Sequence, residues 1–67
     1  MRTDEEIVQQ TNELARDFYG LTGNRVSPGY RFDRAAHPLE QLCWKMACRA
    51  QELLTETNPE DALSAVD

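Results

Sequence analysis

The chain has 67 residues, twelve acidic against seven basic, and a formal net charge of −5. That length allows one domain, residues 1–67, and a domain near this size hides only about 60% of the surface its unfolded chain exposes. The acidic balance argues against general affinity for nucleic acid or anionic membrane. No apolar run approaches the ~20 residues of a membrane span, and the polar start, Met1 to Glu6, is unlike a signal peptide, so a cytoplasmic protein is expected.

Thr3-Asp4-Glu5-Glu6 has the form of a capping box, with the Thr3 hydroxyl accepting from the Glu6 N–H and the Glu6 carboxylate reaching back. Acidic residues in the first turn suit the positive end of a helix dipole. A helix is predicted from about Asp4 to Tyr19. Ile7, Thr11, Leu14, Phe18 and Leu21 keep the three-four spacing, widened by Val8, Ala15 and Tyr19, and Gly20 and Gly23 are the stop signals.

Residues 22–36 read as a long structured connection with turn pairs at Gly23-Asn24 and Pro28-Gly29, the second suited to a type II turn. Tyr30 and Phe32 flank Arg31, and a short extended piece would put both rings on one side. The rings either plug the open end of a helical hairpin or, with the arginines, form a binding surface. Arg25, Arg31 and Arg34 face only Asp33 here, so a basic loop separates two acidic segments.

The longest run of helix formers is 38–56, opened by Pro38 in a position where its missing N–H has no partner anyway. Leu39, Leu42, Cys43, Met46, Ala47, Ala50, Leu53 and Leu54 form the apolar stripe. Trp44 lies off it, beside Glu40, Gln41, Cys48 and Gln51. Trp is among the residue types that carry binding energy at interfaces, so Trp44 is either a partner anchor or a core residue covered by the loop. Asn58, Pro59, Glu60 and Asp61 open a short third helix, about 59–66, that frays unless it packs on something.

Chemistry is sparse. His37 is the only histidine and reads as a helix-start residue, so no metal site, cofactor or enzymatic activity is expected. Cys43 and Cys48 point about 140° apart on one helix and cannot bridge, which favours a reducing compartment. Cys43 reads as core. Cys48 reads as an outer-face thiol whose pKa Lys45 and Arg49 could lower.

The expected fold is all-α: an antiparallel two-helix hairpin with a structured loop and a short third helix. Two helices cannot hide both stripes and Trp44, which points to a homodimer, the alternative being a monomer in which the loop rings with Leu63 and Val66 fold over the remaining surface.

The second half, with Phe32-Asp33, Ala36-His37-Pro38, Trp44-Lys45-Met46-Ala47, Ala50-Gln51, Leu54-Thr55 and Asn58-Pro59-Glu60-Asp61-Ala62-Leu63, resembles small phage and prophage accessory proteins of the anti-defence, anti-CRISPR-like kind. The resemblance covers roughly residues 30 to 63 and assigns no site residues. It implies inhibition by binding to a bacterial host protein or nucleoprotein complex in the host cytoplasm. Trp44, Tyr30, Arg31, Cys48, Gln51, Glu52 and Glu56 are then the expected partner-binding residues. Two alternatives stay open. One is sequestration of a small anionic nucleotide by Arg25, Arg31 and Arg34. The other is a transcription accessory module, weakened because neither long helix carries the basic face that groove reading needs.

Overall fold

The computed structural model describes residues 2–66. It is all-helical. Three helices, α1 (Asp4–Leu21), α2 (Pro38–Thr55) and α3 (Pro59–Val66), are joined by a loop with one 3-10 turn at Phe32–Arg34, and the described residues include no strand. The N-terminal cap of α1 forms as expected: the Thr3 hydroxyl accepts from the Glu6 N–H at 3.2 Å. The Glu6 carboxylate meets that hydroxyl at 3.2 Å instead of reaching the backbone N–H, a side-chain variant of the predicted box.

Gly20 does not stop α1, which runs on to Leu21. The chain turns at Thr22 and Gly23, where the Thr22 hydroxyl donates to the Tyr19 carbonyl at 2.6 Å and Gly23 takes φ 87°. The Pro28-Gly29 turn closes with the Tyr30 N–H on the Ser27 carbonyl at 3.1 Å, and Gly29, at φ 86°, supplies the positive φ that a type II turn requires. α2 ends one residue earlier than expected, because Glu56 adopts the left-handed conformation (φ 55°) and caps the helix with its N–H on the Glu52 carbonyl. Asn58 opens α3 as its sequence position suggested, accepting from the Glu60 N–H at 3.0 Å.

Side-chain contacts tie opposite ends of the long helices. Tyr19 bonds to Glu40 at 3.3 Å, Gln51 to Thr11 at 3.2 Å and Arg2 to Thr57 at 3.3 Å. Ala15, Cys43 and Ala47 are fully buried between the helices, and small side chains there let the backbones approach closely. Phe32, Trp44 and Cys48 complete that core, with Leu14, Phe18, Tyr19, Val26, Tyr30 and Leu63 packed around it. A second cluster joins Ile7 and Val8 of α1 to Ala62 of α3. The short helix therefore packs, and Leu63 touches both clusters.

The phase of α2 differs from the expected one. Of the predicted stripe only Cys43 and Ala47 are buried; Leu39, Leu42, Met46, Leu53 and Leu54 are exposed. The buried face is Glu40, Cys43, Trp44, Ala47, Cys48 and Gln51. Its polar members are tolerated because each finds a partner on another element, and a buried polar group costs little once hydrogen-bonded. Glu40 accepts from the hydroxyls of Tyr19 and Tyr30, Gln51 donates to Thr11, and the Trp44 indole N–H donates to Glu60 at 2.9 Å. Glu40 also sits in the first turn of α2, where the dipole favours a negative charge.

Candidate interaction site

The expected partner-binding residues separate into two groups. Trp44, at 6% exposure, is covered by the core and by Glu60, and Cys48 and Gln51 are buried beside it. In this fold those three side chains offer no surface to a partner, so the anchor reading of Trp44 is corrected to the core reading. The cover comes from α3 as well as from the loop. The expectation for Cys48 is corrected as well: the thiol is pushed up to about 12, first by burial and then by the charges of Glu60 and Glu52. Lys45 and Arg49 do not activate it.

The remaining predicted residues reach the surface. Arg31 is exposed, and its guanidinium grips Asp33 through two nitrogens at 3.2 and 2.7 Å. Tyr30 is half-buried, its ring edge-on to Phe32 at 5.1 Å, so the two rings do share a side as the alternation suggested. Glu52 is half-buried and pairs with Arg49 at 3.3 Å, and Glu56 is exposed at the end of α2. Arg25 and Arg34 are exposed loop residues.

Two features were missed by sequence reasoning. The first is the outer face of α2. Leu39, Leu42, Met46 and Leu53 follow one another at steps of three, four and seven, all exposed, with Leu54 beside them at 81%. Those residues carried the helical signal, but their periodicity was assigned to the core. The second is a cavity of about 360 Å³ lined by Glu5, Val8, Gln9, Asn12, Glu13 and Arg16 of α1, Gly29 and Arg31 of the loop, and Val66 of α3. No local motif marks it, because three separate segments build it.

Asn12 is the residue that fastens the loop. Its amide nitrogen donates to the Val8 carbonyl at 3.1 Å and to Asp33 at 2.9 Å, and its oxygen accepts the Phe32 N–H at 2.6 Å. Burial pushes the Asp33 carboxyl up, but hydrogen bonds from Arg31 and Asn12 outweigh it and hold the group below the usual carboxylate range.

The buried thiols and the two phenols around Glu40 set the alkaline limit of the fold. Burial, followed by the charge of Glu40, raises Cys43 and Tyr19, whereas Tyr30 is raised first by its hydrogen bond to Glu40 and then by burial. All four groups hold their protons more tightly folded than unfolded, so their stabilisation is complete below the unfolded values and is lost as pH rises through the folded ones. Unfolded thiols ionise near ~8.5 and phenols near ~10. The melting temperature should therefore hold to about pH 8.5, decline beyond it and fall more steeply above 10. Thermal melts across that range check this, with absorbance at 295 nm reporting phenolate. A flat profile to pH 11 contradicts it.

Among the described residues no group of three or more His, Cys, Asp and Glu side chains is placed to hold a metal ion, and no helix is long and apolar enough to cross a membrane. Compared with known proteins, the chain matches no protein-family model, no curated protein and no solved structure.

Proposed function

We propose that the chain is a non-enzymatic binding protein of the phage anti-defence kind. It folds as an antiparallel two-helix hairpin, pairs through α2 into a homodimer, and inhibits a component of a bacterial host in the cytoplasm. The observation that carries this reading is the exposed stripe of Leu39, Leu42, Met46 and Leu53. Single exposed apolar residues are ordinary, but several on one face form a patch of the kind that marks an interaction site. Their three-four-seven spacing is that of a seam between helices.

The stripe is self-complementary, which supports a second copy as the occupant: in an antiparallel pairing centred on Met46, each Leu39 stands opposite a Leu53. The dimer would leave α1 outward, where Asp4, Glu5, Glu6, Glu13 and Asp17 are all exposed. An acidic helix of this kind suits a basic nucleic-acid channel, so the favoured target is a nucleoprotein effector, engaged by charge imitation.

The test is Leu42→Lys with Met46→Lys, which charges the stripe without touching the core. The wild type should sediment as a dimer and bind one of a panel of purified CRISPR effector complexes, more weakly as salt rises. The variant should keep its helical signal and become a monomer, its dimer dissociation constant raised on the order of a hundredfold or more. A wild type that stays monomeric at about 0.1 mM removes the dimer. Binding to no effector in the panel removes the inhibitory role.

A further inference from the structure

The hairpin of α1 and α2 has two sides, and the loop and α3 share one of them. On α1, Asn12 accepts the Phe32 N–H of the loop and lines one cavity with Gly29 of the loop and Val66 of α3. On α2, Trp44 reaches Glu60 of α3. Residues two apart on a helix point about 160° apart. Leu14, two beyond Asn12, and Met46, two beyond Trp44, therefore face the other side. That side is open. Leu39, Met46 and Leu53 of α2 are 39, 40 and 66% exposed, Leu21 of α1 is 83% exposed, and Leu14 is half-buried.

The open side carries two matched triads. Leu39, Met46 and Leu53 are spaced by seven, and so are Ile7, Leu14 and Leu21, the interval that keeps side chains in line along a seam between helices. Each triad spans about 21 Å. Their midpoints are level as well. The contacts of Thr11 with Gln51 and of Tyr19 with Glu40 fix the stagger of the antiparallel helices, and Leu14, lying between Thr11 and Tyr19, falls beside the turn of Met46. A two-fold axis relating two copies of Met46 then passes the middle of both triads, setting Leu14 against its own copy and Leu21 opposite Ile7. Nothing in a single chain requires the two midpoints to coincide. Ile7 is the buried member of its triad, so Leu14 and Leu21 carry the α1 share of the contact.

We infer that the second copy covers both helices, the dimer being a four-helix bundle in which Leu14 and Leu21 of α1 extend the seam formed by the α2 stripe. This rests on the proposed homodimer and carries its interface from α2 onto α1. The acidic face is left free: Glu6 and Glu13 stand two residues from the buried Val8 and Ala15 and so point outward.

Sedimentation equilibrium on the full chain compares the wild type with Leu21→Lys. Leu21 is exposed in the single chain, so the variant should keep its helical signal while its dimer dissociation constant rises at least tenfold. Leu14→Cys and Met46→Cys are then treated separately with a short bis-maleimide, the wild type with its buried Cys43 and Cys48 giving the background. Covalent dimer from both variants supports the bundle. Covalent dimer from Met46→Cys alone, with Leu14→Cys shown to be folded by circular dichroism, leaves the α2 pairing standing and overturns the inference. A Leu21→Lys dimer as tight as the wild type overturns it too, whatever Leu14→Cys does. A monomeric wild type with covalent dimer from neither variant removes the pairing through α2 and this extension with it.

Discussion

Trp44→Ala is expected to remove a large share of the protein's stability at 25 °C. Truncating a buried Phe or Trp to Ala costs about 3–5 kcal/mol. Globular proteins hold roughly 0.05–0.15 kcal/mol per residue, so a chain this short has on the order of 3–10 kcal/mol in all. Trp44 contacts the central core cluster and reaches across to α3 through Glu60, so its removal empties the joint between α2 and α3. Trp44→Phe separates the two contributions. It keeps most of the apolar volume and loses the indole N–H, while the released Glu60 carboxylate, on an exposed residue, returns to water. Its expected cost is about 1–2 kcal/mol. Urea unfolding followed by far-UV circular dichroism measures both. A Trp44→Ala protein within ~1 kcal/mol of wild type would place the indole outside the core, where such losses are small.

The elements were legible because local chemistry specifies them. The capping Thr3, the Pro28-Gly29 turn, the position of Pro38 and the Asn58-Pro59 start act through neighbours in sequence. The rotation of α2 was not legible for the opposite reason. Its leucines and methionine outnumber the buried apolar residues, so periodicity points to the wrong face. What reverses the choice is a set of partners distant in sequence: Tyr19 and Tyr30 for Glu40, Thr11 for Gln51, and Glu60 for Trp44. Once those polar residues are matched, the flat Ala and Cys positions between them allow close helix contact, and the bulkier Leu39, Leu42 and Leu53 are left outside. The same distance hides the cavity. Arg16 looks like any charged residue on α1 until the loop and the end of α3 close around it.

Asn12 joins these two outcomes, and Asn12→Ala should cost several kcal/mol while also loosening the cavity wall. Each side of its amide is used, which ties the Val8 carbonyl of α1 to Asp33 and Phe32 of the loop through one side chain. Losing it strands the buried Phe32 N–H and removes a donor from Asp33, and a buried group left without its partner costs about 1–3 kcal/mol. Asp33 gives the loss a pH signature. Its carboxyl is held low in the fold, so its stabilisation is present above the unfolded value near ~4 and disappears as pH falls through the folded one. With Asn12 gone that value rises toward normal, and acid unfolding should begin at higher pH than in wild type. Asn12→Asp is the sharper variant, since it keeps the acceptor for Phe32 but sets a second carboxylate against Asp33. It should be least stable at neutral pH and recover partly on acidification, the reverse of the wild-type trend. Melting curves from pH 3 to 7 distinguish the cases. Parallel profiles for all three proteins would mean that the loop is held to α1 by the Phe32 ring alone.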